Sequence, residues 1–244
     1  IRSFLQEWQS WLGSSRHSHQ PPRVAVIGGG AAGIEILLAM HYKMHRQYSR
    51  QSDFTLVCAD RQILGTHNKQ VQDFFDQNLR SAGITIIRGK RVIAIDRQQI
   101  FFDDQTALHY DFAVWCIHAA ASPWLKESGI QCDEKGFVMV DQNLRSISHA
   151  EIFASGDAAS FCPVSLPKAG VYAVRQGPVL AKNIAALLQN QPLSPYQPQR
   201  RYLNLLTAGE RYAVASWGNF FAKGKWVWYW KNLIDRSFIS RFNP

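Results

Sequence analysis

Apolar residues recur along this chain in two rhythms, one helical and one of short unbroken runs. Over residues 1–12, Phe4, Leu5, Trp8, Trp11 and Leu12 fall three and four apart, which predicts one face of a helix. The polar stretch 13–22 ends in two prolines and predicts a linker. From Arg23 the short runs begin. Arg23–Ile27, 54–58, 84–87, Val92–Ile95, Gln99–Phe102, Ala107–His109 and 112–117 each predict a strand. Between them, residues 34–48 place Ile34, Leu37, Leu38 and His41 on one helical face. Residues 69–82 do the same with Val71, Phe74, Phe75 and Leu79, ending at Gly83. Beyond Pro123 the pattern predicts strands at 137–140 and 152–154, a helix over Gly170–Leu188 and a proline-rich connector at 191–199. Strands near 203–206 and 212–216 and a terminal helix from about Trp226 complete it.

Strand–helix–strand–helix–strand with an added meander is an α/β pattern. It predicts a Rossmann-like nucleotide-binding domain of three layers, sheet, helix and meander. The boundaries read as 1–22 for the helix and linker, 23–121 for the nucleotide domain, 122–190 for a second segment and 191–244 for a basic, aromatic C-terminal segment.

The turn Gly28-Gly29-Gly30-Ala31-Ala32-Gly33 carries the first chemistry. It follows a hydrophobic strand and opens a helix, the setting in which G-x-G-x-x-G binds a dinucleotide. Gly28 permits the tight turn, Gly30 lets backbone approach a pyrophosphate, and Gly33 lets helix and strand pack closely. The free N–H groups at the helix start then face the phosphates. Two positions past Cys58, Asp60 is placed to bind a ribose 2′-hydroxyl, which favours NADH; Arg61 beside it would instead meet a 2′-phosphate.

Composition changes this picture little, and charge changes it more. A hydrophobic content of 46% supports a packed core rather than disorder. The four cysteines form no C-x-x-C pair, so buried, reduced thiols of a cytoplasmic protein are expected, with neither a zinc site nor a redox dithiol. Of the net charge of +9, six units lie beyond Pro198, where eight Arg/Lys face Glu210 and Asp235. On a helical wheel Trp226, Tyr229, Trp230, Leu233 and Ile234 share one face. That pattern fits peripheral contact with the inner face of a membrane, docking to another protein part, or packing on its own domain. No run is long and apolar enough to span a bilayer, and the basic residues match no nucleic-acid-reading motif.

The run VAVIGGGAAGIE (24–35) resembles the second, NAD-binding glycine motif of the two-dinucleotide-binding flavoproteins, the pyridine nucleotide-disulfide oxidoreductase superfamily. That superfamily includes glutathione reductase, type II NADH dehydrogenase and sulfide:quinone reductase. In it the chain returns to an FAD domain through a small-Gly-Asp motif, matched here by IFASGDAA (152–159). The resemblance implies that Gly156 ends a strand and lets the cofactor approach, that Asp157 accepts from a ribityl hydroxyl, and that a helix start comes next. The stretches 166–188 and 196–238 resemble the type II NADH dehydrogenase-like flavoproteins that are in some cases fused to selenide, water dikinase, so a fused or docked dikinase is an implied partner. Lys168, Ala169 and Gly170 match the segment that approaches the flavin ring. A positive charge at Lys168 would stabilise the reduced flavin. Glu35 matches a glutamate near the nicotinamide–flavin junction; its local reading is an acid complementing the helix dipole.

Two departures stand beside the resemblance. Where relatives carry Ala-Thr-Gly, this chain has Cys116-Ile117-His118, and His118 reads either as an acid/base or as a packed crossover residue. The first, FAD-binding glycine motif would precede Ile1, so the chain reads as a fragment whose N-terminal FAD part lies elsewhere, with 1–22 as the helix and linker from that part and 122–190 as the returning half of the FAD-binding domain. The implied activity is hydride transfer from NAD(P)H to FAD, then onward to a quinone or other small electron acceptor. The alternative is a non-catalytic nucleotide-binding regulatory or docking module.

Overall fold

Buried strands need both faces covered, and this sheet is covered by two different kinds of layer. The computed structural model describes residues 2–15, 21–48, 52–117 and 119–241. They form two compact units, residues 1–117 with 203–244, and residues 118–202.

In the first unit, β1 (Arg23–Ile27), β2 (Asp53–Cys58), β3 (Thr85–Arg88) and β7 (Phe112–Trp115) pair in parallel in the order β3-β2-β1-β7. This is the order of a mononucleotide-binding half. Alternation along β1 sends Val24 and Val26 to one face and Ala25 and Ile27 to the other. The first face meets α1 (Arg2–Ser15), α2 (Ala31–Tyr48) and α3 (Lys69–Ser81) through Trp8, Leu12, Leu37, Met44, Phe75 and Leu79, all buried. The second meets the antiparallel meander of β4 (Val92–Ile95), β5 (Gln99–Phe102) and β6 (Ala107–His109), where Ile100 and Phe102 close on Val57. The expected three layers are present, and the fold is mixed α/β and Rossmann-like.

Helix α3 starts at Asn68, whose Oδ1 accepts from Val71 N at 3.0 Å. It ends where Gly83 takes the left-handed φ of 73°. On α2, His41 packs edge-on against Phe54 at 5.2 Å and lies 4.2 Å from the His45 ring. Burial, then the charge of His45, hold its pKa below the ordinary 6.5, and burial lowers His67 likewise. The fold disfavours both imidazolium forms, so the unfolded chain takes up the proton first. Their stabilising effect is whole above pH 6.5 and is lost as pH falls through that value toward the lower folded one. A urea midpoint measured against pH should fall on acidification, and His41→Gln should flatten the slope. An unchanged slope would mean that His41 is free to charge in the fold.

The C-terminal segment adds an antiparallel sheet, β10 (Asn204–Thr207), β11 (Ala213–Trp217) and β12 (Phe220–Gly224), crossed by α6 (Lys225–Ser240). Helix α6 buries Val227 against Ala213 and Ala215, with Trp228 alongside. The apolar face expected from the wheel, Trp226, Tyr229, Trp230, Leu233 and Ile234, is the exposed one. No helix among the described residues is long and apolar enough to cross a membrane. The sequence boundaries set 1–22 and 191–244 apart from the nucleotide domain. Here α1 and residues from Leu203 onward lie in the same unit as the sheet.

In the second unit, α4 (Pro123–Glu127), β8 (Val138–Val140), β9 (Ala159–Phe161) and α5 (Gly170–Leu188) surround Val140, Leu144, Phe161 and Tyr196. The strand expected at 152–154 is a single bridge between Arg145 and Phe153. Before that bridge the chain turns at 141–145, where Asp141 Oδ1 accepts from Asn143 and Arg145 N and Leu144 takes φ 63°.

Candidate functional site

The glycine turn sits at the carboxyl edge of the parallel sheet, where nucleotides bind in such sheets. Gly28 has φ 132°, and its N–H donates to the Val57 carbonyl at 2.8 Å. A Cβ at Gly28 would land on the Cys116 carbonyl oxygen, one at Gly29 on the Cys58 sulfur, and one at Gly33 on the Gly28 carbonyl oxygen. Three of the four glycines are therefore required by the protein's own packing. Gly30 is different, because a Cβ there meets nothing within 4 Å. The space beside it is open, while Ile34 N makes the first α2 pairing, to Gly30 O at 3.1 Å. The N–H groups of Ala31, Ala32 and Gly33 precede that pairing and so have no acceptor within the helix, the condition under which a helix start can hold an anion. The residues present thus fit a dinucleotide pyrophosphate.

Two cysteines brace this turn from the strands flanking β1, Cys58 at the end of β2 with its sulfur and Cys116 just past β7 with its carbonyl and Cβ. Burial pushes both thiols up, so they stay neutral and add no negative charge to the turn. All four cysteines are free thiols. Asp60 is exposed, and its backbone carbonyl accepts from Gly89 N at 3.2 Å; Arg61, also exposed, lies along Gly89. The loop that carries them is tied to the cradle by Leu64 N, which donates to Gly29 O at 2.8 Å.

Glu35 is half-buried, and its Oε1 accepts from Thr207 N at 2.7 Å. Farther along the same helical stripe, Tyr42 and Arg46 both donate to Glu210 at 3.0 Å. Helix α2 thereby grips the end of β10 and the middle of the β10–β11 turn. The sequence pattern around Glu35 did not reveal Thr207 as its partner, since 172 residues separate them.

The second unit gathers Gly156, Asp157, Lys168, Ala169 and Gly170. Gly156 takes φ 62° and opens a single 3-10 turn (Gly156–Ala158) that exposes Asp157. The next element is β9, not the expected helix start, because residues 159–161 pair in parallel with β8. The long helix start is that of α5 at Gly170. Ala169 is its N-cap with no side-chain hydrogen bond, and a Cβ at Gly170 meets nothing within 4 Å. An uncapped helix start with open space beside it fits a negatively charged or electron-rich group. Lys168 donates from Nζ to the Ala159 carbonyl and lies 3.8 Å from the centroid of the Phe137 ring. Burial pulls its pKa down, while Asp133 and Asp157 act the other way.

Gln176 was not singled out from sequence. It is 3% exposed, and its Oε1 accepts from Gly156 N at 2.6 Å. The signal was available, since two amide side chains, Gln176 and Asn183, fall in line with Tyr172 and Ala186 on one stripe of α5. His118 lies outside the described residues. Glu35 and Lys168, expected together at one reaction centre, belong to different units.

Comparison with known proteins matches residues 9–177 to the model of the pyridine nucleotide-disulphide oxidoreductases. A probable NADH dehydrogenase of Dictyostelium discoideum is 25% identical over 189 residues, 74% of this chain and 42% of that protein. NDH2 from Plasmodium falciparum, solved in complex with NADH, has a TM-score of 0.79 at 14% identity, covering 95% of this chain and 66% of that one. The sulfide:quinone oxidoreductase of Aquifex aeolicus has a TM-score of 0.77 at 16% identity, covering 96% and 61%. At these identities the two structures share the fold. The chain spans less than half the length of the curated relative.

Proposed function

This chain belongs to the pyridine nucleotide-disulphide oxidoreductase family, and on that footing we propose that it is the NAD(P)H-binding part, with the returning flavin-contact segment, of an oxidoreductase that passes electrons to a quinone or another small acceptor. The observation that carries the reading is the cradle at Gly30, the one glycine of the motif whose missing side chain leaves space for a ligand rather than for the protein. In this reading the amides of 31–33 hold the pyrophosphate, and Asp60 accepts from the adenosine ribose hydroxyls, which favours NADH over NADPH.

FAD, when bound, would supply the two-electron chemistry between nicotinamide and acceptor. The residues of this chain that would face it are Gly156, Asp157 and the Lys168–Gly170 stretch. Asp157 offers an exposed carboxylate to a ribityl hydroxyl. Lys168, pinned on the Ala159 carbonyl, keeps a positive charge within the segment, and the open start of α5 presents N–H groups beside it. Glu35 holds the N-terminal part of α2 against β10. The chain has no C-x-x-C pair and so supplies no dithiol acceptor of its own.

The test is anaerobic titration of the purified flavin-loaded protein with NADH and with NADPH. Bleaching of the flavin absorbance, at lower concentration for NADH, is expected. Nucleotide binding without any flavin would instead support a regulatory or docking module. Failure to bind either nucleotide would overturn the reading of the glycine turn.

A further inference from the structure

We propose that Gln176 is a positioning residue, whose carboxamide oxygen fixes the Gly156 amide and thereby sets how the Gly156-Asp157 turn meets the ribityl-phosphate part of a flavin nucleotide. The proposal rests on the flavin reading of that turn.

Helix α5 buries Tyr172, Gln176, Asn183 and Ala186 along one stripe. An amide on such a stripe carries a desolvation cost unless it is paired. The two buried amides meet this cost differently. Asn183 Nδ2 donates to the Asn143 and Ser194 carbonyls at 2.8 and 2.9 Å, and its Oδ1 accepts from Ser194 N at 2.8 Å. It ties together two stretches of backbone that carry no candidate site residue. Gln176 Oε1 instead reaches the first amide of the 3-10 turn that displays Asp157. That amide needs an outside partner, because the first N–H groups of a helical turn have no acceptor within it.

A second contact acts on the same residue. Ala173, one turn before Gln176, lies with its Cβ 3.0 Å from where a Gly156 Cβ would stand. Combined with the positive φ, this restricts position 156 to glycine. Helix α5 thus holds the turn by a hydrogen bond and by close packing, and Asp157 comes directly after the amide that is held. Loss of the acceptor would free the Gly156 amide and let the Asp157 carboxylate lose its fixed direction, while the cradle at Gly30 in the other unit stays intact.

The test compares Gln176→Met, similar in length but without an acceptor, with Gln176→Glu, which keeps one. It uses the full chain and three readouts: amide hydrogen exchange across 155–159 without cofactor, FAD affinity by equilibrium dialysis, and NADH affinity. For Gln176→Met, Gly156 exchange should speed up and FAD Kd should rise, each by about tenfold, with NADH Kd unchanged. Gln176→Glu should restore both to within about threefold of the parent. Unchanged exchange and FAD Kd in a folded Gln176→Met chain would overturn the proposal. If that variant does not fold, Gln176→Glu decides: near-parental values support the proposal, and a loss of about tenfold or more overturns it. Should the parent itself bind no FAD, the flavin reading fails, and hydrogen exchange still tells whether Gln176 holds Gly156.

Discussion

A Gly30→Val chain is expected to melt like the parent and to bind NADH at least about a hundredfold more weakly, a loss of about 2.7 kcal/mol. Nothing in the protein lies within 4 Å of a Cβ at this position, and its φ is outside the left-handed region, so a branched side chain costs the fold little. The same side chain occupies the space a pyrophosphate must enter and separates it from the amides of 31–33. A charge-assisted hydrogen bond to one of these amides is worth about 1.5–3 kcal/mol, so breaking one or two suffices for the expected effect. Gly33→Val is the matched control. Its side chain would drive into the Gly28 carbonyl oxygen and the Cys116 Cβ, so it should unfold the unit or lower its melting temperature sharply. Calorimetric titration with NADH beside thermal melts separates the two. Parental affinity in folded Gly30→Val would refute the cradle.

This contrast shows what periodicity and motif convey and what they omit. The glycine spacing predicts a turn of the dinucleotide-binding kind. It did not say that Gly29 is required by Cys58, because that contact joins two strands through a side chain the motif does not include. Helix α5 was readable to its ends, since nineteen residues of apolar stripe average over local ambiguity. Strand β12 was missed although Trp217-Gly218-Asn219-Phe220 carries a two-residue hairpin signal, with Gly218 at φ 57°. Its residues, FFAKG, lack the alternation that would have made the signal count. Strand β9 is three residues long and is defined by its partner β8, a non-local fact. The helical wheel of α6 found a real apolar face but not its direction: Val227 and Trp228 meet the sheet, and the larger face stays exposed. Glu35 and Gln176 make the same point for the sites. Each is a polar side chain whose meaning is one backbone N–H, brought to it only by the folded chain.

Trp8→Ala should cost the first unit about 3–5 kcal/mol, the range for truncating a buried aromatic. The resemblance implies that this helix belongs to a separate flavin part, yet Trp8 is 3% exposed in the core that the parallel sheet shares with α2 and α3. Its ring stacks on Trp11 at 5.2 Å and meets Phe112 edge-on at 5.1 Å. Such aromatic pairs add about 0.5–1.5 kcal/mol beyond the area they bury. Phe112 begins β7, and Cys116 just past that strand supplies the carbonyl against which Gly28 is packed. Helix α1 therefore supports the edge strand that closes one side of the nucleotide cradle. Leu5 on the same helix is 47% exposed, so Leu5→Ala should change stability by no more than about 0.5 kcal/mol. Urea unfolding monitored by circular dichroism measures both. A Trp8→Ala cost below about 1 kcal/mol would mean that α1 is not part of this core in solution, and that β7 stands without it.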